Sequence, residues 1–258
     1  MEKLLKKFIT SNTTLYVLGV FLIFVIWYLV SLSQGQGNLV FPDPFVTFKT
    51  LFEMLGNKNT YIRIGWSLLR TLEGFGIALI MALLLGILAG LVKKIQVLLR
   101  PIMIVFKSAP TAAFVFLFFV LFTGKNAPIF VVTLLAFPIL YESIIAGFNN
   151  IPIEIEDSLR VDSNGRLKGI LTVKIPIAMP YFMVGLASSF ALSFKTEIMA
   201  EIITGSTNPG LGTAIYAYRI IDASDLTPIF AIALIAIIII LIVDLLGFLV
   251  KKYFQRNI

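Results

Sequence analysis

The sequence predicts an all-α integral membrane protein with six transmembrane helices. Of the 258 residues, 59% are hydrophobic and 14% are charged, and the mean hydropathy is +0.97. Soluble domains have about 45–50% apolar and about 25% charged residues, so this composition excludes an ordinary water-soluble protein. One crossing takes about 20 apolar residues, which leaves room for six or seven spans and none for a separate soluble catalytic domain. Residues 1–258 are therefore predicted to form a single transmembrane domain.

The predicted spans cover about residues 15–32, 66–92, 102–122, 127–147, 177–203 and 229–250. The first apolar run follows several lysines, as in a signal peptide. It is long, however, and no convincing small-residue cleavage site follows it, so we expect an uncleaved anchor. Pro42 and Pro44 then break the chain, and the spacing of apolar residues after them predicts a short interfacial helix. The last run is the most apolar, and it tolerates Asp244 near its end.

The distribution of basic residues predicts the orientation of the chain. With six spans, 14 of the 21 lysines and arginines lie on one side. They are Lys3, Lys6, Lys7, Lys93, Lys94, Arg100, Lys107, Arg160, Arg166, Lys168, Lys174, Lys251, Lys252 and Arg256. Lysine and arginine accumulate in cytoplasmic loops, so both termini are predicted to be cytoplasmic. The net charge of +7 is then explained by topology rather than by nucleic-acid binding.

Missing residue types exclude several kinds of chemistry. The chain has no cysteine and no histidine, which excludes thiol catalysis, disulfides, histidine-ligated haem and the usual zinc sites. It also lacks a Gly-x-x-x-x-Gly-Lys-Ser/Thr phosphate-binding loop, so it is not predicted to hydrolyse ATP. We expect no catalytic residue, metal or cofactor on this chain.

The longest predicted cytoplasmic loop, residues 148–175, carries a helical pattern of its own. Pro152 and the three acidic residues within five positions after it predict the start of a helix. Ile155 and Leu159 continue an apolar stripe at four-residue spacing. Asn164-Gly165 then predicts a turn before a second short amphipathic helix. Two such helices at nearly a right angle would form a compact knob on the cytoplasmic face.

Short motifs recur in a characteristic order along residues 40–250. They are Pro42-Asp43-Pro44, Ser67-Leu68-x-Arg70 with Gly74-Phe75, the pair Gly86 and Gly90, Arg100-Pro101, Ala109-Pro110, Thr123-Gly124, Phe137-Pro138, Ala200-Glu201 and Gly210-Leu211-Gly212. Together they resemble the permease subunits of binding-protein-dependent ABC importers, in the branch that carries nitrate, sulfonates, taurine and thiamine precursors. In the cytoplasmic loop, Asp157-Ser158-Leu159 stands for that family's Glu-Ala-Ala triplet and Ser163 for its glycine. Ile175-Pro176 with Pro180 stands for its closing element.

The resemblance implies a type I ABC importer permease fold with a cytoplasmic coupling-helix loop, in a bacterial cytoplasmic membrane. It implies that two permease copies, most simply a homodimer, form the translocation path. A separate ATPase dimer binds ATP and Mg²⁺, and an extracytoplasmic binding protein delivers the solute. The expected ATPase-coupling residues are Ile155, Asp157, Ser158, Leu159, Arg160, Ser163 and Arg166. The alternative is a solvated connector whose helices lie on the bilayer surface.

Charged residues within the spans are candidates for the translocation path or its outer gate, because intramembrane charges usually face the protein interior or water. These residues are Glu142, Lys195, Glu197 and Glu201. The alternative is that they make only structural hydrogen bonds. Arg70 and Glu73 are expected to form a structural pair. Gly210, Leu211 and Gly212 belong to an outer loop that covers the pore, receives the binding protein or merely connects two spans.

Two other classes of membrane protein fit the sequence less well. A secondary transporter driven by an ion gradient commonly shows inverted repeats, and the sequence shows no convincing repeat. A membrane enzyme would need histidine or a cluster of acids with a nucleophile at one membrane face, and the sequence has neither. The transported solute does not follow from the sequence.

Overall fold

The computed structural model describes residues 12–33, 41–122, 126–161, 166–205, 208–221 and 224–256. In these residues all regular structure is helical. The helices are α1 (Asn12–Ser33), α2 (Pro44–Leu55), α3 (Lys58–Leu91), α4 (Lys93–Ser108), α5 (Thr111–Leu121), α6 (Ala127–Asn149), α7 (Ile153–Val161), α8 (Arg166–Gly169), a π-helical turn (Ile170–Lys174), α9 (Ile175–Thr204), α10 (Leu211–Ile221) and α11 (Thr227–Arg256).

The helices confirm the predicted all-α membrane fold. Among the described residues, five helical segments are long and apolar enough to cross a membrane: α1, α3, α6, α9 with the π turn, and α11. A sixth span results if the bent pair α4 and α5 is counted as one. The apolar runs thus located the spans well, although α3 begins at Lys58, about two turns before the run predicted from the sequence.

The predicted third span is not one continuous helix. Helices α4 and α5 meet at a bend of 95°. Ala109, between them, has an extended backbone (φ −76°, ψ 138°). Proline disfavours the helical conformation in the residue before it, and Pro110 therefore ends α4 and starts a new helix direction. The proline that served as a family motif is also the physical cause of the break.

The chain divides into two compact units, of which the smaller contains residues 1–60 and 217–235. Aromatic side chains join α1 to the segment that begins α2. Trp27 Nε1 donates a hydrogen bond to the Pro42 carbonyl (3.0 Å), and Phe45 meets Phe24 edge-on with ring centroids 5.5 Å apart. Asp43 Oδ1 caps α2 by accepting from the N–H of Phe45 (2.7 Å). The short helix predicted after the proline pair is therefore present.

The larger unit, residues 61–216 and 236–258, is built around α6, most of whose residues are buried. Small residues allow neighbouring helices to approach it closely, as is usual in membrane proteins. A Cβ on Gly147 would lie 2.7 Å from Ala178 Cβ on α9, and one on Gly74 of α3 would lie 2.8 Å from Val132 Cβ. Helix α6 is thus fixed between α3 and α9.

Candidate functional site

The helix predicted in the cytoplasmic loop is present as α7. The carbonyl of Pro152 accepts from the N–H groups of Ile155 (3.1 Å) and Glu156 (3.2 Å) and so starts the helix. Glu154 and Glu156 lie in the first turn, where carboxylates favour the positive end of the helix dipole. The sequence interpretation of this segment is confirmed at the level of local structure.

The second helix of the loop differs from the expectation, because it is not a separate element. Helix α8 continues through the π-helical turn into α9 without a break among the described residues. Two contacts tie α7 to this continuous helix. Lys174 Nζ lies 3.0 Å from Glu156 Oε1, and a Cβ on Gly169 would lie 2.7 Å from Leu159 Cδ2. The loop is therefore braced against the start of the fifth predicted span.

The predicted coupling residues divide into two groups. Ile155 packs against the buried core cluster and Leu159 covers Gly169, so both face the body of the protein. Asp157 and Ser158 are exposed, as is Ile153, whose relative exposure is 67%. The side chains of Arg160 and Arg166, and the whole of Ser163, lie outside the described residues. Ile153 was missed because it lies between Ile151 and Ile155, off the four-residue apolar stripe on which the prediction depended.

A buried charge cluster joins α3 to α9. Arg70 Nε donates to Glu197 Oε1 (2.8 Å), and Arg70 Nη2 pairs with Glu201 Oε1. Both carboxylate side chains are completely buried, and the Arg70 side chain is 5% exposed. Ser67 Oγ donates to both Glu201 oxygens (3.0 and 3.1 Å). Counted as ionised groups, one guanidinium therefore faces two carboxylates inside the protein.

The outer-loop segment predicted from the sequence closes over this cluster. The N–H of Gly212 donates to Glu201 Oε2 (2.7 Å), and the N–H of Leu211 donates to Ser67 Oγ (2.9 Å). Arg70 Nη2 also donates to the carbonyl of Pro209 (3.1 Å). A Cβ on Gly210 would collide with Glu201 and Arg70. The glycines are needed here because the backbone approaches the carboxylate more closely than a side chain permits.

The cluster corrects one expectation and refines others. The expected pair of Arg70 with Glu73 is wrong, because Arg70 pairs with α9 and Glu73 is exposed. Lys195 is also exposed and lies apart from the cluster on the same helix. Glu197 and Glu201 have no exposed surface in this structure. Their role in the translocation path or its outer gate stays a prediction. The structural hydrogen bonds expected under the alternative interpretation are present.

Glu142, the remaining candidate within a span, lies outside the buried cluster, at the contact between α4 and α6. Lys107 Nζ of α4 lies 2.6 Å from Glu142 Oε2 of α6, with both side chains 46% exposed. Phe106 and Phe137 meet edge-on beside them, with centroids 6.5 Å apart. The two helices are thus joined by one ionic and one aromatic contact.

A family model described as binding-protein-dependent transport system inner membrane component matches residues 82–258. The chain belongs to this family. Among its relatives, the nitrate import permease protein NrtB of Leptolyngbya laminosa is 30% identical over 76% of this permease and 70% of its own length. The bicarbonate transport system permease protein CmpB of Synechococcus elongatus is 30% identical over 81% of this permease and 78% of its own length. The taurine transport system permease protein TauC of Escherichia coli is 24% identical, over 89% and 85%.

A solved structure agrees with the fold of this permease. An inward-facing form of the MetNI methionine ABC transporter matches with a TM-score of 0.60 and 16% identity, over 81% of this permease and 96% of that chain. This likeness confirms the type I ABC importer permease fold, and the family model and the named relatives confirm the role in import. The protein is a multi-pass inner-membrane permease of an ABC importer, and its relatives are transport proteins rather than enzymes.

Proposed function

We propose that two copies of this permease form a homodimeric translocation path driven by a separate ATPase dimer, and that α7 is the helix that contacts the ATPase. An extracytoplasmic binding protein delivers the solute, and ATP and Mg²⁺ bind to the ATPase rather than to this chain. Both termini are cytoplasmic, which places α7 on the side where ATP is available. The family supports this assembly, since its members are named for binding-protein-dependent transport.

The observation that carries the proposal is the bracing of α7. Its inner face is held by the Glu156–Lys174 ion pair and by Leu159 on Gly169, while Ile153, Asp157 and Ser158 are exposed. A helix of this kind transmits a displacement to the permease body instead of absorbing it. Burial of an exposed isoleucine against a partner also stabilises the contact by about 1.5–3 kcal/mol.

The continuity of α8, the π turn and α9 supports a mechanism for coupling. Helix α9 contains 30 residues and is therefore about 45 Å long. A displacement of α7 at one end reaches Glu197 and Glu201 near the other end along a single helix. ATP-driven closure of the ATPase dimer would draw the two copies of α7 together and shift the population of permeases toward the outward-open state.

The names of the relatives support a substrate class. They mention nitrate, bicarbonate, aliphatic sulfonates and taurine, and each of these solutes carries an anionic oxyacid group. We extend the proposal to a small solute with such a group. Uptake of labelled nitrate, bicarbonate and taurine by cells that express the complete transporter tests this extension.

The coupling proposal is tested by substituting the exposed residue of α7. Ile153→Asp is expected to abolish co-purification of the ATPase from detergent while membrane insertion is retained. Ile220→Asp is the matched control, because Ile220 is similarly exposed (64%) and the predicted topology places it on the outer side. Equal retention of the ATPase by the two variants would contradict the assignment of α7.

The energy source needs a separate measurement. Solute uptake is expected to stop when ATP is depleted and to continue when the proton gradient alone is collapsed. The reverse result would favour a secondary transporter driven by an ion gradient.

A further inference from the structure

A cavity of about 350 Å³ lies between α4 and α6. This volume is within the range of sites for small organic ligands. Residues Lys93, Gln96, Val97, Arg100 and Ile104 line it from one face of α4. Their spacing of three and four positions places them in one stripe along the helix.

The charges of the cavity are unbalanced. Glu142 contributes the one carboxylate of the lining, and this carboxylate is already paired with Lys107. Lys93 and Arg100 are exposed cations that form no ion pair with any described residue. Two positive charges are therefore available to a ligand, and neither requires the disruption of an existing contact.

Buried and apolar groups complete the lining. The Tyr141 hydroxyl is buried and has no hydrogen-bond partner among the described residues, although buried hydroxyl groups normally have one. Val97, Ile104 and Ile145 supply an apolar wall. The cavity therefore combines two cations, one unused hydroxyl donor and a hydrocarbon surface. This combination fits a ligand with an anionic head and an apolar tail.

The position of the cavity along the helices indicates the source of such a ligand. Lys93 directly follows the last residues of α3, where the apolar run of the second span ends. Arg100 lies seven residues further along α4, about 10 Å from Lys93 along the helix axis. Basic pockets between transmembrane helices at the cytoplasmic side are suited to anionic lipid head groups. We propose that this cavity binds an anionic phospholipid, with the phosphate at Lys93 and Arg100 and an acyl chain against Val97, Ile104 and Ile145.

Native mass spectrometry of the purified full-length permease tests the proposal. Titration with phosphatidylglycerol is expected to yield a saturable bound lipid, and phosphatidylcholine is expected to bind at least tenfold more weakly. The variant with both Lys93→Gln and Arg100→Gln is expected to lose at least tenfold in affinity for phosphatidylglycerol. Lys94→Gln is the matched control, because Lys94 is an exposed neighbour that does not line the cavity, and its affinity is expected to be unchanged.

The role of the hydroxyl has its own variant. Tyr141→Phe preserves the ring and is expected to weaken phosphatidylglycerol binding about threefold, while helical circular dichroism stays the same. Since the measurement uses the permease without its ATPase, its result is independent of the proposal for α7.

Three outcomes would overturn the assignment. One is an equal loss of affinity in Lys94→Gln and in the double variant, which would indicate diffuse attraction to a basic surface. The second is an absence of preference between the two lipids. The third is an unchanged affinity for phosphatidylglycerol in the double variant, together with saturable binding of a soluble alkyl sulfonate that depends on Arg100. This result would make the cavity a site for a soluble anion.

Discussion

Arg70 is the single cation in the buried cluster, so its removal and the removal of a carboxylate should have unequal effects. Arg70→Met leaves Glu197 and Glu201, both fully buried, without a cation. Loss of one partner from a buried ion pair costs about 3–5 kcal/mol. For a chain of this size, 1 kcal/mol corresponds to about 2–4 °C in the apparent Tm. The expected decrease for Arg70→Met is therefore about 6–20 °C.

Glu197→Gln should be far milder. The amide oxygen still accepts from Arg70 Nε, and the cluster then contains one guanidinium and one carboxylate. We expect a cost of at most about 1 kcal/mol, the usual value of one hydrogen bond. Addition of Glu197→Gln to Arg70→Met should recover part of the lost stability, because it removes one of the two uncompensated charges.

Intrinsic fluorescence during heating in detergent measures these shifts, since the chain contains two tryptophans. All variants are heated at one scan rate, because unfolding of membrane proteins is commonly irreversible. Lys195→Gln is the control, as Lys195 is an exposed residue of the same helix and should change stability by about 0.5 kcal/mol or less. If Arg70→Met and Glu197→Gln lower the apparent Tm equally, the charge argument is refuted.

Three further predictions concern packing, shape and coupling. Gly212→Ala should lower the apparent Tm by the equivalent of about 1–3 kcal/mol through overpacking against Glu201, whereas Gly65→Ala, at a helical position with open space, should raise it slightly. Because the chain has no cysteine, cysteines introduced at Leu98 and Val120 can each carry one spin label without side reactions. Electron paramagnetic resonance should give a distance of about 20 Å between the two labels across the bend. A distance of about 33 Å, the value for a straight helix of this length, would contradict the break. Glu156→Lys should reduce solute-stimulated ATPase activity of the complete transporter severalfold, and exchange of the paired lysine for glutamate should restore it; a double variant as weak as the single one would argue against the brace.

Hydropathy predicted where the long membrane-spanning helices lie, because the bilayer demands long apolar runs. It did not predict the bend between α4 and α5, since apolarity continues across Ala109 and Pro110 and only backbone sterics separate the two helices. Similarly, the start of α7 followed from Pro152 and the acids after it, which act locally. The continuation of α8 into α9 could not be predicted in this way. Asn164-Gly165 indicates the turn before the second helix but does not indicate where that helix ends.

The buried cluster shows what a local interpretation of charge omits. Arg70 and Glu73 are three residues apart and suggested a pair, yet the true partner of Arg70 at Glu197 is 127 positions away. Only packing of α3 against α9 determines that choice. A usable signal was nevertheless present: Ser67 and Arg70 are also three residues apart, and both contact the same carboxylate.

The π-helical turn at Ile170–Lys174 has a consequence for how this family tolerates changes in length. A π turn holds one more residue than the α-helical turn that would replace it. One residue can therefore be deleted there without rotating the rest of α9, whereas a deletion further along would swing Glu197 and Glu201 by about 100° away from Arg70. Homologous chains should accordingly differ by single residues in this turn and keep a constant spacing from it to the paired glutamates.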